Sequence, residues 1–366
     1  MYKPFIFQLP SSKNELISIS DIEYSTSKNY AHPLFKYGFH YYMNQTKDKL
    51  VILNNDDLKG KTFYNIIENF DDNIPNYENS ILNISKKYFG AKSSINSSLL
   101  ELWEILSMFS LSGSLYINDE DYDETIKEFY SKSGLKYKPL DNFNKSDIYI
   151  NINQIKLDIK YLEPEHYSNF IESIIEIGEG LNKGGNCIIR IYDTYTEVSI
   201  KLLKLISEMF NETYIYKPYI THGRDATKYI IGLKYKENFK HYKKLNEILK
   251  FIKNNKVEKL NDVYYNHEIS DDFVFVIKYM NIELGNHEHK MINILIDYIK
   301  KSNYFGDIFH TCLENQKKST EFWINTFFVK DSKEYKKTHE TLNSLIVNTI
   351  KDNNKNMIGM FNLMNR

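Results

Sequence analysis

The chain has 366 residues, enough for one large domain or two modest ones, and 42% hydrophobic with 15% aromatic residues supplies an ample core. A formal net charge of −1 excludes a globally basic nucleic-acid binder, so any RNA surface has to be local. Two cysteines far apart in sequence, Cys187 and Cys312, exclude a disulfide framework and a cysteine zinc site; both are expected in the core of a protein from a reducing compartment.

In chain order, residues 1–90 form an N-terminal segment marked by Pro33-Leu34-Phe35-Lys36-Tyr37-Gly38-Phe39-His40-Tyr41-Tyr42 and by 74–78 and 88–90. It lacks a basic stretch leading into an apolar one, and no run approaches the roughly 20 apolar residues that span a bilayer, so a soluble, cytoplasmic protein is expected, without membrane contact. Heavy use of Asn, Lys, Ile and Tyr with 7 Pro and 14 Gly points to an AT-rich genome.

Residues 91–236 read as an α/β core. A helix carries Trp103 and Phe109 and is expected to end at Gly113; a strand at 114–117 runs into an acidic stretch, 118–124, suited to capping the next helix. Only one crossover helix fits before the strand at 147–152. A helix at 167–181 then precedes a Gly184-Gly185 turn, a strand at 186–192, a helix at 197–210 and strands at 213–217 and 229–235. In Asp193-Thr194-Tyr195-Thr196, Thr194 or Thr196 caps the helix and Glu197 occupies its favoured first turn. The order is that of a doubly wound Rossmann-like sheet with a shortened first half.

Residues 237–366 are mostly helical in pattern, with apolar spacing at 273–280, 291–299 and 308–328. Lysines interleave with aromatics from Lys236 to Lys259, a pattern suited to RNA, although a solvated helix face is the preferred account. His287-Glu288-His289 offers two imidazoles that a helix would send to different sides, so no metal site is expected.

The core resembles the FtsJ-like AdoMet-dependent RNA 2'-O-methyltransferases that finish mRNA caps. The resemblance rests on Lys183-Gly184-Gly185, then Arg190-Ile191-Tyr192-Asp193-Thr194-Tyr195-Thr196, then Tyr216-Lys217-Pro218, Thr221-His222 and Ala226-Thr227-Lys228-Tyr229. It extends less specifically to residues 30–235, because similar lead-in segments precede this core in large cytoplasmic DNA viruses. The family's activity, as the resemblance implies, needs a Lys-Asp-Lys-Glu tetrad that prepares one lysine to deprotonate a ribose hydroxyl. The matching positions here are Glu101, before Leu102-Trp103-Glu104-Ile105, then Ile152, Arg190 and Thr227. Asn151 or Asn153 replaces Ile152 only if the register slips. None of the four is the family's residue, and an arginine stays protonated at any working pH.

The glycine-rich cofactor turn that the family places after its first strand is also missing, since Ile117 leads into Asn118-Asp119-Glu120-Asp121. No cofactor and no catalytic residue are therefore expected. Arg190, Lys217, His222, Arg224 and Lys228 are candidate RNA-phosphate contacts, with His222 and Arg224 standing where the family holds its substrate loop. The resemblance implies a non-catalytic subunit that binds a protein partner, or RNA, in viral-type mRNA capping or transcription, in the host cytoplasm or the virion. The small stimulatory subunit of poxvirus-type capping enzymes is the parallel. Two alternatives stay open: an active cap 2'-O-methyltransferase that binds AdoMet and uses Lys217 or Lys228 as base, and a virion structural component.

Overall fold

The apolar run Cys187-Ile188-Ile189 needs cover on both faces, and it obtains it as the centre of a seven-stranded mixed sheet. The computed structural model describes residues 4–11, 22–29, 31, 33, 37–54, 97–117, 123–140, 145–152, 162–237, 242–255, 258–264, 269–301, 306–328 and 331–364. Strands β1 (Phe5–Leu9), β3 (Gly113–Ile117), β4 (Tyr137–Pro139), β5 (Ser146–Asn151), β6 (Leu181–Ile191), β7 (Phe210–Lys217) and β8 (Lys228–Tyr235) lie in the order β1-β7-β8-β6-β5-β3-β4. The β4-β3-β5-β6 half is parallel; β8, β7 and β1 continue antiparallel. This is the expected α/β architecture, with one helix, α3 (Asp123–Ser133), between β3 and the three-residue β4.

Alternation along the strands separates two cores. Cys187, Ile189, Ile191, Ile215 and Ile230 face α4 (Leu162–Gly180), α5 (Glu197–Met209), α6 (Tyr242–Asn254) and α7 (Asp271–Lys301). Ile148, Ile150, Ile188, Tyr216 and Tyr229 face α2 (Ser97–Phe109), α3, α8 (Asp307–Phe327) and α9 (Ser332–Met364). The two tryptophans of the chain lock α8 to α2 reciprocally: Trp103 Nε1 donates to Phe327 O at 2.8 Å, and Trp323 Nε1 donates to Glu104 Oε2 at 2.8 Å. Glu104 also accepts from Tyr216 Oη and from the backbone N–H groups of Tyr219 and Ile220, so this fully buried carboxylate ties α2, α8 and the end of β7 together.

The three sequence segments are interwoven in space. Strand β1, from the N-terminal segment, is the edge of the main sheet beside β7. Its Ile6 carbonyl accepts from Asn353 Nδ2 of α9 at 2.8 Å, one way the C-terminal region covers a sheet edge. Strand β2 (Glu23–Ser27), also N-terminal, pairs with β9 (Lys259–Tyr264). The N-terminal helix α1 (Tyr37–Asp48), followed by a 3₁₀ turn (Lys49–Asn54), packs on α7. The motifs at 74–78 and 88–90 and the acidic residues 118–122 lie outside the described residues.

Two local expectations are corrected. Gly113 does not end α2; Ser110, at φ 53°, takes the left-handed position there, and Gly113 opens β3 at φ 132° with Asp147 Cβ 2.7 Å from where its own Cβ would stand. Gly184 and Gly185 do not precede β6 but bulge it: Gly184 has φ 81°, and the β5 register shifts between Ser146 and Ile148. Cys187 is buried in β6, where burial pushes its thiol upward, and the side chain of Cys312 on α8 lies outside the described residues. Among the described residues no helix is long and apolar enough to cross a membrane.

Candidate functional site

Arg190 and Tyr229 are register partners on β6 and β8, and both side chains rise on the face covered by α2. There Arg190 Nη2 reaches Glu101 Oε2 at 3.1 Å, Ser98 Oγ at 2.8 Å and Tyr229 Oη at 2.7 Å, while Nε reaches Tyr229 Oη at 3.0 Å. Tyr229 Oη in turn donates to Glu101 Oε2. Burial opposes the charge on Arg190, but Tyr229 and Glu101 outweigh it and hold the guanidinium above its ordinary value. The Tyr229 phenol is lifted well above its own by burial, with Arg190 opposing and Glu101 adding. Two of the positions expected to match the family's tetrad, Glu101 and Arg190, form one buried, hydrogen-bonded ion pair. Such a pair holds no neutral amine that could take a proton from a hydroxyl.

The other two tetrad positions are not joined to it. Ile152 is 3% exposed within the apolar cluster that includes Leu102 and Trp103. Thr227 precedes β8 and contributes its carbonyl to Lys217 Nζ at 3.4 Å. Asn151, at the carboxyl end of β5, turns its amide inward to Ser173 Oγ at 2.9 Å and Tyr149 Oη at 3.3 Å; Asn153 lies outside the described residues. Among the described residues, the carboxyl end of β5 therefore offers neither a carboxylate nor an outward amide to a cofactor.

The candidate phosphate contacts do not form an exposed basic patch. Arg190, Lys217 and Lys228 are interior, at 3%, 6% and 4% exposure. Lys217 Nζ donates to Asp225 O at 2.5 Å and Thr227 O, bracing the β7–β8 loop from within. On that loop Arg224 Nε stands 4.0 Å from Asp225 Oδ1. His222 is held down to about 4 by burial, with Arg224 and Lys217 adding and Asp225 opposing. The basic stretch on α6 follows the plain account: Lys244 and Lys253 pair with Glu247 and Glu172, while Phe251 turns inward against Tyr24.

A second charged cluster, not anticipated as a unit, sits at the carboxyl end of β6. Lys47 Nζ of α1 lies 2.5 Å from Asp193 Oδ2 and 3.4 Å from Glu288 Oε1 of α7. Burial disfavours the charge on Lys47, yet Asp193 and Glu288 outweigh it and raise its affinity for the proton. Burial likewise opposes ionisation of Asp193, but Lys47 and then Lys228 hold it below the usual carboxylate range. Glu288 goes the other way, up to about 7, because burial outweighs the pull of Lys47. Lys228 is drawn down to about 8 by burial, against Asp193 and Glu288. Beside this cluster Thr194 and Asn281 of α7 exchange two hydrogen bonds, at 2.9 and 2.7 Å, and Thr196 caps α5 by accepting from Ser199 N.

Sequence gave no signal for this grouping, because Lys47 and Glu288 lie 146 residues before and 95 after Asp193 and carry no shared motif. In His287-Glu288-His289 it is the glutamate that matters here. His287 packs against Phe5, and His289 bonds to Tyr42 and Thr46. Among the described residues no group of side chains could hold a metal ion.

Comparison with known proteins agrees with this frame. Residues 128–235 match the family model of the FtsJ-like methyltransferases. The chain is 28% identical over 348 residues to an uncharacterized protein of Acanthamoeba polyphaga mimivirus, covering 90% of this chain and 92% of that protein. It is 33% identical over 75 residues to cap-specific mRNA (nucleoside-2'-O-)-methyltransferase 1 of Dictyostelium discoideum, covering 20% of this chain and 9% of that protein.

Proposed function

From a core that belongs, over residues 128–235, to the FtsJ-like methyltransferases, we propose that the protein is a catalytically degenerate relative acting as a non-catalytic subunit in viral mRNA capping or transcription. It binds a protein partner or RNA and stimulates an enzyme in place of transferring a methyl group. The observation that carries this reading is the closed Glu101–Arg190 pair. Removing a proton from a hydroxyl near neutral pH calls for a neutral amine or a free carboxylate held toward the substrate. At these two positions the cation is permanent and the carboxylate is spent on Arg190 and Tyr229. Similarity to the giant-virus protein along nearly the whole of both chains supports a shared role for the N-terminal strand and the C-terminal helices as well. The cap-specific methyltransferase activity that the Dictyostelium relative is named for supports the capping context.

A calorimetric titration with AdoMet and its demethylated product tests the proposal. No heat of binding up to millimolar ligand is expected. Micromolar binding of either would favour the second reading, an active cap 2'-O-methyltransferase with a rewired site. One observation favours that reading: Lys228, drawn down to about 8 by burial, is near the range where an amine can act as a base.

A further inference from the structure

Lys228 and Glu288 are the two groups of the second cluster whose interior positions leave them poorly served. The Lys228 ammonium is 4% exposed and has one hydrogen bond, to Ala226 O at 3.3 Å, with no carboxylate at ion-pair distance among the described residues. Both carboxylates of the cluster are instead turned to Lys47, and Lys217 donates to the loop carbonyls. Glu288, 5% exposed, has an Oε1 with no well-aligned hydrogen-bond donor among the described residues; its ion-pair partner Lys47 stands at 3.4 Å. An under-bonded buried ammonium beside an under-bonded buried acid is costly. Both needs are met by one ligand that accepts from the ammonium and from the acid once the acid carries a proton. The cluster stands where β6 ends and β8 begins, at the carboxyl ends of the parallel strands, where open α/β sheets bind ligands.

We propose that the junction of α1, the β7–β8 loop and α7 binds one tetrahedral oxyanion of the phosphate class, with Lys228 as its principal ligand and protonated Glu288 as a hydrogen-bond donor. The proposal deepens the RNA-binding form of the function above and rests on it for the biological source of the anion. Lys47 stays with Asp193, which keeps that carboxylate away from the anion. The charges facing Lys228 are Asp193, Glu288, Lys47 and Lys217, and those facing Glu288 are Lys47, Asp193, Lys217 and Lys228. An added anion makes protonation of both Glu288 and Lys228 easier. Binding at pH 7.5 therefore takes up protons.

The test uses the full chain and two probes, inorganic sulfate, which does not titrate in this range, and a short oligouridylate. Calorimetry in buffers of low and high ionisation enthalpy measures affinity and proton uptake together. Sulfate is expected to bind with net proton uptake, Lys228→Met to weaken it at least tenfold, and Lys228→Arg to retain it. Glu288→Gln is expected to lower the uptake while leaving sulfate bound. If Lys228→Met does not fold, the uptake in Glu288→Gln decides. No sulfate binding at tens of millimolar, binding that a folded Lys228→Met leaves unchanged, or proton uptake unaltered by Glu288→Gln each overturns the site. Competition between sulfate and oligouridylate assigns the anion to an RNA phosphodiester; sulfate binding without competition keeps the site and assigns it to a free anion. Absence of the site leaves the non-catalytic reading standing, since that reading is decided by AdoMet and methyl transfer.

Discussion

Glu101 and Arg190 face each other at 3.1 Å in the interior, at two positions that the sequence motifs led us to match with lysines of the resembling family. Two lysines there would repel; a carboxylate and a guanidinium attract, with Tyr229 bonded to both and Ser98 accepting from the guanidinium. Once both exchanges exist, each residue stabilises the other's charge, and neither reverts alone without leaving a buried charge uncompensated.

Breaking the pair from one side is therefore expected to be expensive. Arg190→Met or Glu101→Gln should lower unfolding free energy by about 3–5 kcal/mol. Glu101→Leu with Arg190→Met should recover most of that loss, as a denaturant double-mutant cycle would register. Single variants within experimental error of the parent would mean that the pair carries no such coupling.

Restoring lysine and aspartate at the family's positions should not restore an enzyme. Glu101→Lys with Ile152→Asp places a second cation against Arg190 and a carboxylate in an apolar cluster, so the protein is expected to melt earlier and to transfer no methyl group. Methyl transfer by that double variant would show that only the tetrad had been lost.

One buried and two half-buried histidines contribute to the acid limb of stability. Burial holds His166 down to about 3, with the hydrogen bond it donates to the Arg190 backbone opposing, and holds His222 and His287 down to about 4. Unfolded histidine titrates near 6.5. Between those values the unfolded chain binds protons that the folded chain refuses, so this contribution is present above about 6.5 and is lost as pH falls toward 4 and 3. Glu104 and Glu288, both raised to about 7 by burial, act in the opposite direction over the same range, so the histidine share is read from the variant: relative to the parent, His166→Gln should lose less stability between pH 7 and 4, and an unchanged pH slope would remove His166 from this account.

The reciprocal tryptophans predict that α8 is part of the cooperative fold. Trp323→Phe keeps an aromatic ring but removes a donor to Glu104, and is expected to cost about 1–3 kcal/mol. Because the chain has two tryptophans, the same variant leaves Trp103 as the sole indole reporter, and its emission should follow the circular-dichroism transition. An indole transition well below the main one would make α2 and α8 a separate unit.

The segment from β6 to β8 was legible because each element carries its own signal: the apolar run of β6, Thr196 as cap and Glu197 after it, and the apolar stripe of α5. Edges were less legible. Phe5–Leu9 has no local mark that distinguishes a sheet edge from any short apolar run, and its partner β7 is some two hundred residues away. Helix α7 runs unbroken from Asp271 to Lys301, although its apolar spacing suggested two pieces, because Asn281 and Glu288 are polar residues turned inward to the core. For the same reason Glu101 and Arg190 could be singled out one by one on the sequence, while the ion pair between them required the fold. Tyr229, which completes that pair, was visible only as the last residue of a motif.

Methyl transfer from radiolabelled AdoMet to capped RNA, with protein in excess over RNA so that a single turnover is detectable, tests the central claim most directly. The account predicts RNA-bound label no higher than in a protein-free control, for the parent chain and for Lys228→Met alike. Stoichiometric 2'-O-methylation by the parent, abolished in Lys228→Met, would contradict it and place the base on β8.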